Sequence, residues 1–252
     1  MNESAREKAV LRRDTRFLPD GSYAFRDRLQ GKGGLTAEVL TGRAWLLEWF
    51  ELKSGTVCCL SGERKVWPKT PRFWIFYPPF SLTRVSLDGA QGRVIGRAGL
   101  DPVPPQFAAV PFLFESAARI YEERMERILA NATNAQSIDA YPNASSLSQK
   151  VRRFIAKLYT DELCIADIAH RLGVSHSHLT RQFRRDYGMT PRDYVHRLRI
   201  ADVPFRLARG ESIANASWDA GYRDLTRFYR QFRKATRSSP AVCRQMVAPR
   251  DR

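Results

Sequence analysis

The sequence predicts an α+β protein, with a small antiparallel β-sandwich or barrel in its first half and an all-α domain in its second half. Three observations support this class. Between Arg43 and Ala98, short runs rich in β-branched and aromatic residues alternate with turn-forming residues. After Ser146, apolar residues recur every three or four positions, as they do in helices. Within that helical region, one pattern of about 24 residues occurs twice, about 48 residues apart.

Six short strands are predicted in the β half. They are separated by turn-forming pairs such as Ser54-Gly55 and Asp88-Gly89, and short strands at this regular spacing are typical of a small sandwich or barrel. We assign residues 1–106 to this domain, because prolines between Asp101 and Pro105 end the β pattern. The predicted strands are Ala44–Leu52, Thr56–Leu60, Glu63–Trp67, Phe73–Tyr77, Leu82–Leu87 and Arg93–Ala98.

Large aromatic side chains are concentrated in the predicted sheet. Alternation along a strand places Trp45, Leu47 and Trp49 on one face. Most of the aromatic residues are expected in the core, and a subset is expected to line an apolar ligand pocket. The residues predicted for this pocket are Trp45, Trp49, Trp67, Trp74 and Phe76.

A helix is predicted over Phe112–Ala130, within a region assigned to residues 107–131. Its apolar stripe can pack inside the chain or against a second copy, and a β domain too small to bury it fully favours the second copy. The polar residues 132–146 then form a linker to a second domain at residues 147–246. The residues predicted for the dimer seam are Phe114, Ala118, Tyr121, Met125 and Ile128.

Positive charge is concentrated in the second domain. The chain carries a net charge of +16, and Ser145–Arg252 holds 22 basic and 10 acidic residues, a net +12. The preceding 144 residues hold 20 basic and 16 acidic residues, a net +4. A localised excess of this size is typical of a protein that binds a polyanion.

No membrane-spanning segment or secretory signal is expected. The longest uninterrupted apolar run, Phe107–Phe114, has eight residues, whereas a membrane helix needs about 20. The first residues are charged and lack the apolar stretch of a signal peptide. The four cysteines show no CxxC spacing, which fits a reducing compartment. The sequence therefore predicts a cytoplasmic protein.

The first copy of the repeated pattern, Ile165–Gly188, has the features of a helix-turn-helix motif. Small Ala169 allows two helices to cross closely, and Gly173 can adopt the positive φ that ends the first of them. Ser175 is a strong N-cap for the second helix. The motif therefore predicts two short helices joined by a tight turn.

The second copy, Ile213–Thr236, repeats this pattern in register. Each copy is followed by a hydroxyl residue and a proline, Thr190-Pro191 or Ser239-Pro240, which are typical of a helix start. A single match of this kind occurs often by chance, but two basic copies in register predict a pair of helix-turn-helix motifs. The matching positions are Ser217 with Ala169, Gly221 with Gly173, Phe228 with Leu179 and Phe232 with Phe183.

These motifs resemble the AraC/XylS family of bacterial transcription regulators. The resemblance covers Ser145–Gln245 and is carried by IADIAHRLGVS, LTRQFRRDYGMTPRDY, RLRIA and AGYRDLTRFYRQFRKATRSSP. It implies two motifs, joined by a long helix, that read adjacent major-groove segments of double-stranded DNA. Carried over by position, base contacts would fall on Ser177, Thr180, Arg181, Thr226, Arg227 and Arg230, and phosphate contacts on His176, Arg184, Arg185, Arg233 and Lys234.

The resemblance also implies a role for the β half. Family members often carry an N-terminal cupin-like domain that senses an effector and dimerises, and the first half resembles this domain in outline. A homodimeric activator that contacts RNA polymerase and needs no cofactor is then expected. One alternative is a β domain that binds a regulatory protein and no small molecule. A remote alternative, a metal-dependent cupin enzyme with a DNA-binding tail, is disfavoured because the histidines, His170, His176, His178 and His196, all lie in the helical domain.

Three residues depart from the family pattern. Pro204 falls inside the expected joining helix, where a proline costs about 3 kcal/mol. We expect the helix to kink or restart there with Asp202 as its cap, which would leave the second recognition helix more loosely placed. Arg237 stands where glycine is usual after the second motif, and Cys164 stands where a Ser or Thr cap is common.

Overall fold

The computed structural model describes residues 14–17, 23–30, 34–108, 110–118, 123–236 and 238–247. The chain forms two compact units, which we call the β unit, ending at Ala140, and the helical unit, Tyr141–Gln245. The boundary between them lies inside the predicted linker. The α+β class is confirmed, with an antiparallel sheet in the first unit and helices in the second. No helix in the described part of the chain combines the length and apolar character needed to cross a membrane.

The described part of the β unit contains one antiparallel sheet of nine strands. The strand order is β1-β2-β7-β4-β6-β8-β9, while β3 also pairs with β7 and β5 also pairs with β4. A short 3-10 helix at Pro105–Phe107 and the helix α1, Met125–Ala130, accompany the sheet. The strands are β1 Asp14–Phe17, β2 Tyr23–Gln30, β3 Gly34–Leu40, β4 Trp45–Ser61, β5 Arg64–Val66, β6 Arg72–Tyr77, β7 Leu82–Gly99, β8 Phe112–Glu115 and β9 Thr133–Ser137.

Strands β4 and β7 are longer than predicted. The sequence predicts a turn at Ser54-Gly55 and another at Asp88-Gly89, but both pairs lie within continuous strands where the β4–β7 register shifts. Gly55 and Gly89 have φ of 72° and 56°, so the turn-forming residues produce irregularities in long strands and not chain reversals. Residues from both halves of β4 share one buried cluster, which includes Phe50 from the first half and Val57 from the second. Both halves of β4 therefore contribute to a common core.

The predicted pocket residues are mostly core residues. Trp45, Trp74 and Phe76 are at most 1% exposed and belong to one hydrophobic cluster, against which Trp49 packs. The Trp74 ring stacks on Phe114 with 6.0 Å between centroids, and the Phe76 ring meets Phe112 at 5.5 Å, so both pack against β8. A ligand pocket lined by these side chains stays a prediction. Trp67 is 47% exposed and lies outside this cluster.

The predicted helix over Phe112–Ala130 is also wrong in its first half. Phe112–Glu115 forms β8, which pairs with β6 on one side and β9 on the other. Only Met125–Ala130 is helical within the described residues of this range. The stripe therefore does not lie on one helix face.

The residues predicted for the dimer seam lie inside the β unit. Phe114, Met125 and Ile128 are at most 1% exposed and share the cluster that contains Trp45, while Ala118 packs against it. Tyr121 lies outside the described residues. The predicted seam is wrong for Phe114, Met125 and Ile128, because the sheet and α1 of the same chain already cover these side chains.

The predicted linker, residues 132–146, contains ordered structure. Thr133–Ser137 forms β9 at the edge of the sheet, and Ile138 and Ala140 are buried. Polar residues occupy β9 because most of its side chains are exposed at that edge. A polar composition therefore did not indicate a free linker here.

The helical unit contains seven helices in its described residues. The side chain of Ser145 caps the first of them by accepting a hydrogen bond from the Ser148 amide at 3.2 Å. The Ser145 hydroxyl also donates to Asp186 at 2.5 Å, which ties the start of the first helix to the end of α4. The helices are α2 Ser146–Leu158, α3 Ile165–Arg171, α4 His176–Tyr187, α5 Pro191–Ala208, α6 Ile213–Asp219, α7 Leu225–Thr236 and α8 Pro240–Val247.

Helix α5 continues through Pro204, so the prediction of a restart there is wrong, while the alternative of a kink stays a prediction. It runs through Pro204 to Ala208 without a break in its helical assignment. Asp202 does not cap a restarted helix: it is buried, and its carboxylate accepts a hydrogen bond from the hydroxyl of Tyr159. Thr190 begins α5 with a capping box, since its hydroxyl accepts from the Asp193 amide and the Asp193 carboxylate accepts from the Thr190 amide.

Candidate DNA-recognition surface

The first helix-turn-helix motif is formed by α3 and α4. Gly173 has φ of 68°, and the Val174 amide donates to the carbonyl of Ala169 at 3.0 Å, which closes the turn. Ser175 caps α4 by accepting from the His178 amide at 3.1 Å. Leu179 and Phe183 are fully buried and hold α4 against the rest of the unit. Every cap and core residue that the sequence predicts for this motif is therefore in its predicted place.

Helix α4 presents most of its predicted contact residues to solvent. Thr180 differs, because it is half-buried and its hydroxyl oxygen is enclosed without a hydrogen-bond partner. At the end of α4, Arg185 lies 3.7 Å from Asp186, while its side chain stays 75% exposed. Burial would raise the pKa of Asp186, but hydrogen bonds from Ser145 and Gln182 lower it to about 2. The exposed residues are His176, Ser177, Arg181, Arg184 and Arg185.

The second motif, formed by α6 and α7, has the same frame. Ser217 is buried and donates to the carbonyl of Ala214 at 2.8 Å, and Gly221 has φ of 93° in the turn. Phe228 and Phe232 are fully buried on the inner face of α7. The two motifs thus match in three dimensions as the sequence repeat predicts.

Asp224 caps α7, a role that the sequence reading missed. Its carboxylate accepts from the amides of Thr226 at 2.8 Å and Arg227 at 3.2 Å. The available signal was the acidic residue directly before the repeated helix, at the position where Ser175 caps the first copy. The cap fixes the start of the helix from which the predicted contacts project.

Helix α7 also presents a basic outer face. Arg227 is half-buried, whereas the other predicted contact residues of this helix are exposed. None of these placements involves bound DNA, so the division into base and phosphate contacts stays a prediction. The exposed residues are Thr226, Arg230, Arg233 and Lys234.

A groove of about 790 Å³ joins residues from the two recognition helices. His176 and Thr180 of α4 and Arg227 of α7 line it together. The start of α5, the turn before α7 and the segment Asp161–Ala166 complete its walls. The first two segments contribute residues that the sequence reading did not select: Arg192, His196 and Arg223. The available signal was the first helical turn after Pro191, which places Arg192 and His196 one turn apart on α5.

The groove holds a neutral imidazole among arginines. Burial, together with the positive charges of Arg227, Arg199 and Arg192, lowers the pKa of His196 to about 4. The Tyr222 hydroxyl lies 3.4 Å from Nδ1 of His196, and burial raises the pKa of Tyr222 to about 12. Asp161, Glu162 and Asp224 also line the groove, so its charge is mixed.

Comparisons with known proteins agree with this geometry. A family model described as a helix-turn-helix domain matches residues 168–246. The transcriptional activator RhaS of Pectobacterium carotovorum is 32% identical over 94 residues, which are 37% of this chain and 34% of RhaS. The transcriptional activator NphR of a Rhodococcus species is 27% identical over 164 residues, which are 63% of this chain and 47% of NphR. The chain thus covers less than half the length of these relatives.

A solved structure extends the similarity to the β unit. The structure of ToxT from Vibrio cholerae matches with a TM-score of 0.55 and 13% identity, over 90% of this chain and 98% of ToxT. At this identity the match concerns the fold alone, and it spans both the sheet and the helices. Together, the paired motifs, the family match and the relatives show that the helical unit of this chain is a helix-turn-helix domain of the AraC/XylS type.

Proposed function

We propose that this protein is a sequence-specific DNA-binding activator of transcription. The observation that carries the proposal is the pair of matched motifs, each with a buried inner face and an exposed basic outer face. Helices with such faces bind in the major groove, where arginines contact guanine and phosphate. The outer faces carry Arg181 and Arg185 on α4, and Arg230 and Arg233 on α7.

The role of an activator follows from the relatives. RhaS and NphR are both transcriptional activators, and they are similar to this chain over 94 and 164 residues. We propose RNA polymerase as the partner of the DNA-bound protein. Because Phe114, Met125 and Ile128 of the predicted dimer seam are buried within the β unit, we propose that a homodimer forms through other residues.

The DNA-binding proposal is tested by selection of genomic fragments with the purified full chain. We expect an enriched motif with two half-sites, and an affinity whose logarithm falls by about 0.9 per phosphate contact for each unit of log salt concentration. A double variant, Arg181→Ala with Arg230→Ala, should lose the enriched motif and keep salt-dependent binding to bulk DNA. Failure to enrich any motif, or an affinity independent of salt, would contradict the proposal.

We propose that the β unit senses a small-molecule effector and is not an enzyme. A polar cavity of about 630 Å³ near the end of the sheet supports this role, and Ser116, Arg127 and Thr133 are among its lining residues. The ToxT structure is also known bound to an arylbutenoic acid, (E)-4-(8-methylnaphthalen-1-yl)but-3-enoic acid. The test measures the melting temperature of the full chain in the presence of each member of a panel of small polar metabolites. The variant Arg127→Ala should lose any shift in melting temperature that a metabolite causes in the parent.

A protein partner for the β unit is the second candidate. Trp67 is 47% exposed, and exposed tryptophan is enriched at protein interfaces. This candidate predicts that no small molecule shifts the melting temperature of the parent, and that Trp67→Ala abolishes binding to a regulatory protein. The two variants, Trp67→Ala and Arg127→Ala, therefore separate the candidates.

A further inference from the structure

Arg199 connects helix α5 to the segment that precedes the first motif. Its Nε donates to the carbonyl oxygen of Tyr159 at 2.6 Å, and its Nη2 donates to the carbonyl oxygen of Asp161 at 2.8 Å. Both carbonyls lie between the end of α2 and the start of α3. Hydrogen bonds from a charged donor are stronger than neutral ones, so this pair holds the segment firmly against α5.

The same guanidinium contacts the second motif. It lies 5.6 Å from the ring centroid of Tyr222, which is in the turn between α6 and α7. Tyr222 is 3% exposed, and its ring meets the ring of Phe228 edge-on at 5.3 Å between centroids. Because Phe228 is a buried anchor of α7, Arg199 links the segment before α3 to the frame of the second recognition helix.

Gly221 makes a second connection between the second motif and the segment that precedes the first motif. A Cβ at this position would lie 2.7 Å from the carbonyl oxygen of Thr160 and 2.9 Å from its Cα, so only a glycine allows the two backbones to approach this closely. Gly173, the matching glycine of the first motif, has a similar positive φ but nothing within 4 Å of its Cβ position. The two glycines share a backbone conformation and differ in this contact.

We propose that Arg199 and Gly221 are positioning residues that fix the separation and orientation of α4 and α7. This inference rests on the DNA-binding function proposed above. The protein then selects DNA by the spacing between two half-sites as well as by their bases. If α5 alone joined the two recognition helices, they could rotate about the axis of that helix. The Arg199 and Gly221 contacts form a second connection beside α5, which opposes this rotation. Any rotation would have to break the Arg199 hydrogen bonds or separate Gly221 from Thr160.

DNA geometry makes this selection measurable. One inserted base pair moves the half-sites apart by about 3.4 Å and rotates them by about a tenth of a turn. A rigid pair of helices cannot follow this change, whereas a loosely joined pair can. Spacing preference therefore reports the connection and not the general stability of the fold.

The experiment measures the affinity of the full chain for the selected site, for the same site with one base pair inserted or removed between half-sites, and for one half-site alone. Each variant's affinities are normalised to its own half-site affinity. We expect the parent to lose about tenfold or more on altered spacing, a difference of about 1.4 kcal/mol. Arg199→Gln and Gly221→Ala should lose most of this preference, and Arg199→Lys should retain an intermediate preference because it keeps one charged donor.

Gly173→Ala is the matched control for Gly221→Ala. It introduces the same backbone strain in the matching turn without a clash, so it should keep the spacing preference of the parent. Circular dichroism and thermal unfolding establish that each variant is folded at the temperature of the assay. The inference would be overturned if Arg199→Gln keeps the spacing preference of the parent, or if the parent binds sites of all spacings equally. Either result would leave the DNA-binding proposal intact. A parent that binds no duplex would overturn both.

Discussion

The hydroxyl of Tyr159, the residue that ends α2, donates a hydrogen bond to the carboxylate of Asp202 in the middle of α5. Both residues are buried, with Tyr159 fully enclosed and Asp202 6% exposed. The backbone carbonyl of Tyr159 also accepts from Arg199, so this one residue binds α5 at two positions about one turn apart. The joining helix is therefore held by tertiary contacts on both sides of Ile200.

Tyr159→Phe should destabilise the folded chain by about 1–3 kcal/mol, because it removes a hydrogen bond to a buried carboxylate and leaves the packing of the ring unchanged. Urea unfolding of the parent and the variant measures the difference. Tyr229→Phe is the control, since Tyr229 is 36% exposed and its change should stay within about 0.5 kcal/mol. Equal effects of the two substitutions would contradict the prediction.

Pro204→Ala should stabilise the folded chain by about 1–2 kcal/mol. The structure continues α5 through Pro204, so the proline removes one helix hydrogen bond to the carbonyl of Ile200 and adds a steric clash. Part of this gain is offset because alanine gives the unfolded chain more conformational freedom. Thermal unfolding measures the shift.

Pro191→Ala is the control for this substitution. Pro191 occupies the first turn of α5, where the missing amide has no helical partner in any case, so its replacement should give no comparable gain. A loss of stability on Pro204→Ala would mean that the proline fits α5 better than a regular helix residue.

Local signals predicted the helical unit well. Gly173, Ser175 and the pair Leu179 and Phe183 act within one turn or one helix, and the repeat supplied each signal twice. The exposed basic faces followed from the same periodicity. The contact of Gly221 with Thr160, in the segment before the first motif, was not predictable because these residues lie 61 positions apart and carry no pattern of their own.

The β unit was predicted less well because its structure depends on pairing between distant segments. Phe114 has helical spacing to later apolar residues, yet β8 forms because β6 and β9 supply its hydrogen bonds. The polar segment Thr133–Ser137 gave no strand signal, since it is an exposed edge strand. Ser54-Gly55 was a valid signal of irregular backbone, but sequence alone does not distinguish a turn from an irregular position in a long strand.

Arg181→Ala and Arg185→Ala should weaken DNA binding in different ways. If Arg181 contacts a base edge, its loss should cost about 1–3 kcal/mol on the selected site and relax the preference at one or two base positions. Arg185 lies at the end of α4 as an exposed side chain near Asp186, and its loss should weaken all duplexes alike. Titrations on the selected site and on single-base variants measure both effects. The same loss from both substitutions on every sequence would contradict the division into base and phosphate contacts.

The stability of the helical unit should decrease as the pH falls, and His196 should cause part of the decrease. Folding lowers the pKa of His196 from its ordinary value of 6.5 to about 4, through burial and then through Arg227, Arg199 and Arg192, with Asp193 opposing them. Between these two values the unfolded chain binds the proton and the folded chain does not, so protonation favours unfolding. The contribution of His196 is fully present above pH 6.5 and is lost as the pH falls toward 4.

His196→Gln should remove this part of the pH dependence. After allowance for partial exposure, the free energy of unfolding of the parent should fall relative to that of the variant by about 1–2 kcal/mol over this range. His178→Gln is the control, because His178 is exposed at the start of α4, and this variant should keep the pH dependence of the parent. Urea unfolding of the three proteins at intervals from pH 7 to pH 4 measures the difference. Parallel curves for the parent and His196→Gln would show that the imidazole gains its proton in the folded chain as readily as in the unfolded one, and that the surrounding arginines do not keep it neutral.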